Sequence, residues 1–341
     1  MSKRYTPTQV LFLFILLALF VLVPQIGAQD DPTAQEKIAP EVQALLADLP
    51  EGEMTAVIVT LVDQADLSSI PGASHAARQH GIIRALQAQA IASQQQILAL
   101  LNAWQKQGKV DSYDSFWVFN GLSVTATQEV IQDLAARSDV WKITPNEITV
   151  LPTFAPTSEL DWENLSKVNA PSLWDLGFDG QGIVVANMDS GVDVSHPDLA
   201  SRWRGGSNSW FDPHGQHATP ADFTGHGTQT MGAMVGGDAS GSAIGVAPAA
   251  QWIAVKIFDD NGQSTSADIH AGYQWLMDPD GNPNTADAPH VVNNSWNFTI
   301  PGCNLEFELD LQSLRAMGIL PVFSAGNAGP GSGTSLSPAN N

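Results

Sequence analysis

The sequence is poor in cysteine and in basic residues, and each shortage excludes a class of protein. Its 341 residues contain a single cysteine, Cys303, so an intrachain disulfide and a cysteine-based metal site are both excluded. Lys and Arg number 14 against 35 Asp and Glu, which gives a formal net charge of −21. Such a surface repels nucleic acids and anionic membranes, so neither is expected as a partner.

Long hydrophobic runs are also scarce, and the longest lies near the N-terminus. Lys3 and Arg4 precede an unbroken apolar run at residues 10–23, and Ile-Gly-Ala follows at 26–28. A positive start, a short apolar stretch and small residues in this order are typical of a secretory signal peptide. The run is short for a helix that must span about 30 Å of hydrocarbon. We therefore predict a signal peptide at residues 1–28 and a secreted protein with no membrane partner after its removal; an uncleaved anchor is the alternative.

Residues 29–155 alternate between strand-like and helix-like patterns. Strand-like runs occupy 54–62, 115–126 and 140–150, and helical spacing occupies 75–107 and 128–137. This order predicts a small α+β sandwich with ferredoxin-like connections. No set of side chains with catalytic or metal-ligand spacing occurs here, and the Pro-rich stretch at 152–158 is typical of a linker between domains.

Residues 156–341 show a different pattern, in which short apolar runs alternate with helices. The runs lie at 182–189, 251–258, 289–296 and 319–324, and the helical segments at 226–235, 264–277 and 306–317. This alternation predicts an α/β domain with a doubly wound parallel sheet. Functional groups of such sheets gather at the carboxyl ends of the strands.

Three polar residues stand at such positions in the predicted sheet. Asp189 closes the first strand, His226 opens a helix between two glycines, and Asn327 follows the last strand. A hydroxyl nucleophile needs a base at hydrogen-bond distance, and the pKa of histidine suits that role. A buried carboxylate fixes the tautomer of the histidine, and a side-chain amide stabilises the oxyanion that forms when an amide carbonyl is attacked. The three residues together therefore indicate acyl-transfer chemistry.

The sequence around these residues resembles the subtilisin-like serine proteases, or subtilases, over most of residues 165–341. The matching blocks are 185–193 with 196–199, 225–228, 245–248, 293–296 and 324–327. The amino-acid sequences of the last two blocks are most similar to the bacillopeptidase F-like branch of that family. Each block alone is a common turn or loop, but their order along one predicted parallel sheet is specific.

The resemblance implies a serine endopeptidase that cleaves extracellular proteins or peptides through an Asp-His-Ser triad and requires no cofactor. Asp189 would orient the imidazole, His226 would act as general base and then as acid, and Asn327 would bind the oxyanion. Ser295, Trp296 and Asn297 would line the substrate cleft, where an extended peptide adds as a strand. All six of these roles follow from the family pattern and not from composition or spacing.

The resemblance also gives a role to the N-terminal half. Residues 29–155 would be a prodomain that assists folding and then inhibits the enzyme by placing its C-terminal end in the cleft. Residues 156–341 would be the N-terminal part of the catalytic domain, and maturation would cut near 151–160.

The sequence departs from the family pattern at three places. Gln229 stands where many relatives have a second histidine, at a position outside the triad. Asn297 replaces a glycine that is usual there, which affects the expected subsite preference. The sequence Gly-Thr-Ser at 333–335 mimics the nucleophile block, but Ser335 follows Asn327 too closely and no helix supports it. We expect the nucleophile beyond Asn341, which would make this chain an inactive, truncated precursor; the alternative is a naturally short pseudoprotease that binds peptides.

A metal role is indicated weakly. Asp198 matches a position that binds calcium in some subtilases, and oxygen ligands suit calcium. A structural calcium ion is therefore a candidate cofactor, and a turn capped by Asp198 is the alternative. His214 and His217 have no third ligand nearby in the sequence, so a metal-dependent hydrolase is not favoured.

Overall fold

The structure is a computed structural model that describes residues 32–152 and 163–341. Residues 34–341 form one compact unit. The predicted signal peptide at 1–28, and nearly all of the predicted linker at 152–158, lie outside the described residues. Within the part of the chain that is described, no helix is both long and apolar enough to cross a membrane.

Residues 34–152, the N-terminal region, form a four-stranded antiparallel sheet with helices packed on it. Its elements are α1 (Ala34–Lys37), α2 (Pro40–Asp48), β1 (Met54–Leu61), α3 (His75–Gln105), β2 (Val110–Phe116), β3 (Gly121–Thr127), α4 (Gln128–Ala135), β4 (Val140–Pro145) and β5 (Val150–Pro152). The strand order β2-β3-β1-β4 is the ferredoxin-like order that the sequence predicted. Ile97 and Leu101 of α3 and Ile131 of α4 pack on the sheet in a shared apolar core.

Residues 163–341, the C-terminal region, form a five-stranded parallel sheet. Its elements are α5 (Glu163–Lys167), α6 (Ala170–Trp174), β6 (Val184–Asp189), α7 (Pro197–Ala200), β7 (Trp210–Phe211), α8 (His226–Val235), β8 (Gln251–Lys256), α9 (Ser266–Met277), β9 (Val291–Asn294), β10 (Trp296–Phe298), α10 (Glu308–Met317) and β11 (Leu320–Phe323). The sheet order is β11-β9-β6-β8-β7, and every pair is parallel.

Helices cover both faces of this parallel sheet. Val185 of β6 packs with Met231 and Val235 of α8 on one face. Ala186, the next residue of β6, belongs to the core of the other face, which includes Tyr273 of α9. Successive side chains of a strand point to opposite faces, so an almost wholly apolar strand is buried on both sides. The predicted doubly wound α/β fold is confirmed.

The predicted single strand at 140–150 is divided in the structure. β4 ends at Pro145 and stays in the N-terminal sheet, whereas β5 leaves that sheet and pairs antiparallel with β10 of the C-terminal region. The partners are Val150 with Phe298, Leu151 with Asn297, and Pro152 with Trp296. The N-terminal region thus ends by adding a strand to the C-terminal region.

A buried ionic cluster lies where the two regions pack together. The Nδ1–H of His270 in α9 donates to Asp310 Oδ1 of α10 at 2.9 Å, and Nε2 of the same ring lies 3.7 Å from Glu306 Oε1. The ring of Phe119, from the N-terminal region, stacks on the His270 imidazole with centroids 4.0 Å apart. Lys142 of β4 forms an ion pair with Glu306 at 3.3 Å.

The cluster makes stability depend on pH in a definite direction. Burial lowers the pKa of His270, but the negative charges and hydrogen bonds of Asp310 and Glu306 outweigh that effect and raise the pKa to about 9. The folded pKa therefore exceeds the value of about 6.5 for an unfolded chain. The protonated imidazolium stabilises the fold fully below pH about 6.5, and this contribution is lost as the pH rises through about 9.

We predict that the free energy of unfolding, measured by urea titration, falls between pH 6.5 and 9 in the unmodified chain. The variant His270→Gln, which cannot carry the charge, should show a flatter profile over this range. His290→Gln, at an exposed histidine outside the cluster, should keep the slope of the unmodified chain. Equal slopes in His270→Gln and in the unmodified chain would show that the cluster does not titrate as described.

Candidate active site

Asp189 and His226 meet at the carboxyl edge of the parallel sheet. Asp189 is the last residue of β6 and His226 is the first residue of α8. Their side chains are joined by a hydrogen bond of 2.7 Å between His226 Nδ1 and Asp189 Oδ1. Asp189 is 0% exposed and His226 is 3% exposed, so the contact is shielded from water. With Nδ1 engaged in this way, the Asp189 carboxylate holds Nδ1 protonated and leaves proton transfer to Nε2.

The carboxylate of Asp189 has further donors around it. The backbone N–H of Ser190 donates to Oδ1 at 2.7 Å, and the Thr230 hydroxyl donates to Oδ2 at 3.4 Å. Burial raises the pKa of Asp189, and the hydrogen bonds from His226 and Ser190 oppose that rise. A buried carboxylate is tolerated only where such donors compensate for the loss of water.

Two glycines allow α8 to start this close to β6. A Cβ on Gly227 would overlap the backbone carbonyl oxygen of Gly191. Gly191 has a φ of 110°, which disfavours other residues, and a Cβ there would overlap the carbonyl oxygen of Ala221. The distance between the Asp189 and His226 backbones therefore depends on the absence of these side chains.

Asp222 stabilises the start of α8, and sequence reasoning missed it. The N-cap residue Gly225 has no side chain to cap the helix. Instead, Asp222 accepts hydrogen bonds from the N–H groups of Gly225 and Thr228 at 2.9 and 2.8 Å and from the Ser190 hydroxyl at 2.9 Å. A negative charge at a helix N-terminus is also favourable. An Asp three residues before a glycine N-cap is the signal that could have identified it.

A second group of residues that sequence reasoning did not assign links the strands to α8. Asn187 of β6 donates to the carbonyl of Gly227 at 3.0 Å. Asn293 of β9 donates to Asn187 Oδ1 at 2.8 Å and to Ser295 Oγ at 2.9 Å. These bonds connect Ser295, at the end of β9, with the backbone beside His226. Asn187 is an amide within an apolar strand, which is the sequence signal for a buried polar contact.

Asn327 lies at the same edge of the sheet, beyond the end of β11. The order β11-β9-β6 places β11 two strands away from β6, which is about 10 Å between the two strands. Gly326 before it has a φ of 90°, so the turn needs a glycine. A Cβ on Gly326 would lie 3.6 Å from Asn297 Nδ2, which places the Asn297 side chain beside this turn.

Of the three residues predicted to line the substrate cleft, Ser295, Trp296 and Asn297, the tryptophan has its side chain in the core. The Trp296 side chain is 0% exposed and packs edge-to-face on Phe307 and on Phe323, with centroids 5.8 Å apart in both pairs. Its indole therefore belongs to the core, and its backbone is the part that meets β5. Asn297 is 7% exposed and pairs with Leu151.

Ser335 and Ser337 are engaged elsewhere. Ser335 is exposed, and its carbonyl accepts from Asn340. Ser337 is buried, where its hydroxyl donates to the carbonyl of Gly302 at 2.8 Å and accepts from the N–H of Asn304 at 2.9 Å. Within residues 32–152 and 163–341, neither serine has a hydrogen bond to His226.

Asp198 is placed within a turn. It lies in α7, its Oδ1 accepts from the N–H of Ser240 at 3.1 Å, and its carbonyl accepts from the N–H of Gly237 at 2.9 Å. Its Oδ2 is buried without a hydrogen-bond partner among the described residues. Within the same residues, no group of three His, Cys, Asp or Glu side chains includes Asp198.

We predict that Gly227→Ala destabilises the chain by about 1–3 kcal/mol, because the added methyl group forces α8 away from Gly191. The matched control is Gly232→Ala in the same helix, where the new Cβ meets only Ile244 at 3.7 Å. That change should stabilise by about 0.5–1 kcal/mol, as alanine does in helix interiors. Urea unfolding measures both, and equal effects of the two variants would refute the close approach.

Comparisons with known proteins match two families to this chain. Residues 180–341 match the subtilase family, Peptidase_S8, and residues 56–151 match the peptidase inhibitor I9 family. Fervidolysin from Fervidobacterium pennivorans, described as a keratinolytic enzyme related to subtilisin, superposes with a TM-score of 0.51 at 20% identity, over 83% of this chain and 41% of that one. At that identity the superposition shows the fold alone.

Two curated relatives extend over both regions. Bacillopeptidase F of Bacillus subtilis (strain 168) is 36% identical over 288 residues, which are 75% of this chain and 20% of that protein. M-protease of Shouchella clausii (strain KSM-K16) is 30% identical over 290 residues, which are 83% of this chain and 70% of that protein. The chain thus spans about a fifth of the first relative's length and most of the second's. It belongs to the subtilase family of serine proteases and carries an I9 inhibitor domain ahead of the protease domain.

Proposed function

We propose that the chain is the precursor of a secreted serine endopeptidase in which Asp189 and His226 are two members of an Asp-His-Ser triad. The observation that carries the proposal is the buried 2.7 Å contact between these two side chains at the carboxyl edge of the parallel sheet. A helix-capping role for Asp189 is not favoured, because Asp222 already caps α8. A purely structural ion pair is the alternative that the activity of the variants below tests.

In the proposed mechanism, His226 Nε2 takes the proton of a serine hydroxyl as that oxygen attacks the scissile carbonyl carbon. The Asp189 carboxylate holds Nδ1–H and stabilises the imidazolium that forms. His226 then gives the proton to the leaving amine, and an acyl-enzyme results. Water, deprotonated by the same imidazole, hydrolyses the acyl-enzyme and releases the second product.

Asn327 is proposed to donate its side-chain amide to the oxyanion that forms during each attack. Support comes from its place at the same sheet edge as Asp189, in a turn shaped by Gly326 and packed against Asn297. Such a donor acts mainly in the transition state, so its loss lowers kcat by roughly 10²–10³-fold.

Substrate is proposed to bind as an extended strand along β10. The antiparallel pairing of β5 with β10 supports this, because it uses the strand that the sequence assigned to substrate. A peptide that adds to a sheet edge gains affinity from backbone hydrogen bonds. The N-terminal region would then inhibit the enzyme by holding β5 where substrate binds. The I9 match over residues 56–151 supports an intramolecular inhibitor and protein substrates.

The nucleophilic serine is proposed to lie outside these 341 residues. Ser335, in the only Gly-Thr-Ser sequence of the chain, has no hydrogen bond to His226 among the described residues, and Ser337 is held by Gly302 and Asn304. The chain alone would accordingly have no peptidase activity.

Secretion and metal content are proposed on separate grounds. The pattern of residues 1–28 supports secretion, and one relative carries the name Minor extracellular protease Vpr. The triad chemistry uses side chains alone and needs no cofactor. A calcium ion at Asp198 would be structural, and the buried Oδ2, which accepts no hydrogen bond among the described residues and lies 4.0 Å from His196 Nδ1, supports it.

The coding sequence past Asn341 tests the proposal first. We expect an open reading frame that continues past Asn341 and contains Gly-Thr-Ser. The protein encoded by the whole frame should hydrolyse a fluorogenic peptide, whereas the 341-residue chain should not. Asp189→Asn and His226→Ala in that product should each lower kcat by about 10⁴-fold or more. His290→Ala, at the opposite edge of the sheet, should leave kcat within about twofold.

A stop codon directly after Asn341 would contradict the protease proposal and favour the peptide-binding alternative. So would unchanged activity in the His226→Ala product. Inhibitor-sensitive hydrolysis by the 341-residue chain itself would contradict only the location of the serine, and Ser335→Ala would then identify or exclude that residue.

A further inference from the structure

The loop between α9 and β9 gathers three carboxylates that no part of the proposed mechanism uses. Asp278, Asp280 and Asp287 each offer one oxygen, and these oxygens lie within 4.8 Å of one another. The loop lies at the amino end of β9, whereas Asp189 lies at the carboxyl end of β6, and β6 and β9 run parallel. The cluster therefore lies at the amino end of the strands, whereas the candidate active site lies at their carboxyl end.

Two of the carboxylates are buried and incompletely bonded. Asp278 is 7% exposed and Asp287 is 8% exposed. Oδ1 of each is buried and has no hydrogen-bond partner within the described residues. A buried carboxylate oxygen without a partner costs several kcal/mol unless a cation or a donor compensates. An acidic group on an ordinary surface would not have this problem, because water solvates it.

Basic side chains compensate only in part for these charges, because burial raises the pKa of Asp287 and the charge of Arg204 opposes that rise. Among the described residues, none of the three carboxylates forms an ion pair within 4.0 Å. Arg204 is the nearby cation, but its Nη1 donates to the carbonyl of Asp287 at 2.6 Å and its Nε to the Ser209 hydroxyl at 2.9 Å. Burial, together with the charges of Asp280 and Asp287, raises the pKa of Asp278 to about 6, as expected for a concentrated negative charge.

The spacing of oxygen-bearing side chains supports the same conclusion. Asp278, Asp280, Asn282 and Asn284 alternate along the loop, and Asp287 follows. Loops that bind calcium supply oxygens from alternate positions, and here the carboxylates do so, whereas Asn282 Oδ1 accepts from the N–H of Asn284 and Asn284 Oδ1 accepts from Arg84. The backbone already turns at this point, because Asp280 Oδ1 accepts from the N–H of Asn282 at 2.9 Å.

We propose that Asp278, Asp280 and Asp287 bind one calcium ion, with further oxygens from the loop and from water. Calcium is favoured over magnesium, because Ca–O distances of about 2.3–2.6 Å allow ligand oxygens up to about 4.8 Å apart and tolerate irregular geometry. The ion would link the α9–β9 loop to the segment at 204–209, since Asn208 Nδ2 donates to Asp287 Oδ2 at 2.9 Å. This site is separate from the candidate at Asp198.

Calorimetric titration of the chelator-treated 341-residue chain with CaCl₂, and separately with MgCl₂, tests the site. We expect calcium binding that Asp280→Asn weakens at least tenfold, since the exposed Asp280 can lose its charge without disturbing the core. Asp287→Asn should have the same effect, with circular dichroism as the check on folding. Calcium should raise the Tm of the unmodified chain and raise it less in either variant.

Two controls make the result specific. Asp175→Asn removes one exposed charge far along the chain and should titrate like the unmodified chain. Asp198→Asn removes the other candidate ligand and should keep the binding that Asp280→Asn loses. Calcium binding that Asp198→Asn alone abolishes, binding that neither Asp280→Asn nor Asp287→Asn changes, the absence of any calcium binding, or tighter binding of magnesium would each overturn the proposal. None of these outcomes bears on the triad, because the readout is binding and not peptidase activity.

Discussion

The contact between the Asp189 carboxylate and the His226 imidazole is the constraint on which the rest of this molecule depends. It requires the end of a central strand and the start of a helix to approach more closely than side chains normally permit. Gly191 and Gly227 make that approach possible, and Asp222 holds the start of the helix in place without crowding it. Asn187 and Asn293 extend the same arrangement to the next strand. The fold therefore fixes a water-shielded acid–base pair before any substrate arrives.

Two kinds of contact join the N-terminal region to the C-terminal region. β5 adds to β10 through the backbone, and the pairing needs no particular side chain. The cluster of His270, Asp310 and Glu306 meets Phe119 and Lys142 through buried ring stacking and charge. The first contact occupies the strand proposed for substrate, and the second anchors the region that supplies it. Together they account for how an inhibitor domain can be held on its own protease.

The periodicity of the sequence predicted most of the fold. Apolar runs and helical spacing located nearly every strand and long helix, because burial on both faces of a parallel sheet leaves a strong pattern. The pattern at 140–150 was misleading, because β4 and β5 have similar composition and only pairing partners distinguish them. The helices of four or five residues, α1, α5, α6 and α7, were missed, since such short segments carry little periodicity. α2, with nine residues, was missed as well.

The sequence predicted the residues with proposed chemical roles but not the residues that hold them in place. Asp189 ends a strand two residues before Gly191, His226 opens a helix between two glycines, and Asn327 follows Gly326 after the last strand, so the local sequence is informative at all three. Asp222, Asn187 and Asn293 act through contacts between distant segments. A local signal marks Asp222 as a cap and Asn187 as a buried polar residue, but it does not name their partners. The burial of the Trp296 side chain in the core could not be predicted from the sequence either, because an aromatic residue after a strand is as common in a binding cleft as in a core.

Proton NMR of the 341-residue chain, labelled with ¹⁵N at histidine, tests the central contact most directly. The account predicts a strongly downfield imidazole proton that correlates with Nδ1 of His226, exchanges slowly with water and disappears in Asp189→Ala. An imidazole whose two nitrogens exchange freely and titrate like those of an exposed histidine, with a spectrum that Asp189→Ala leaves unchanged, would contradict it.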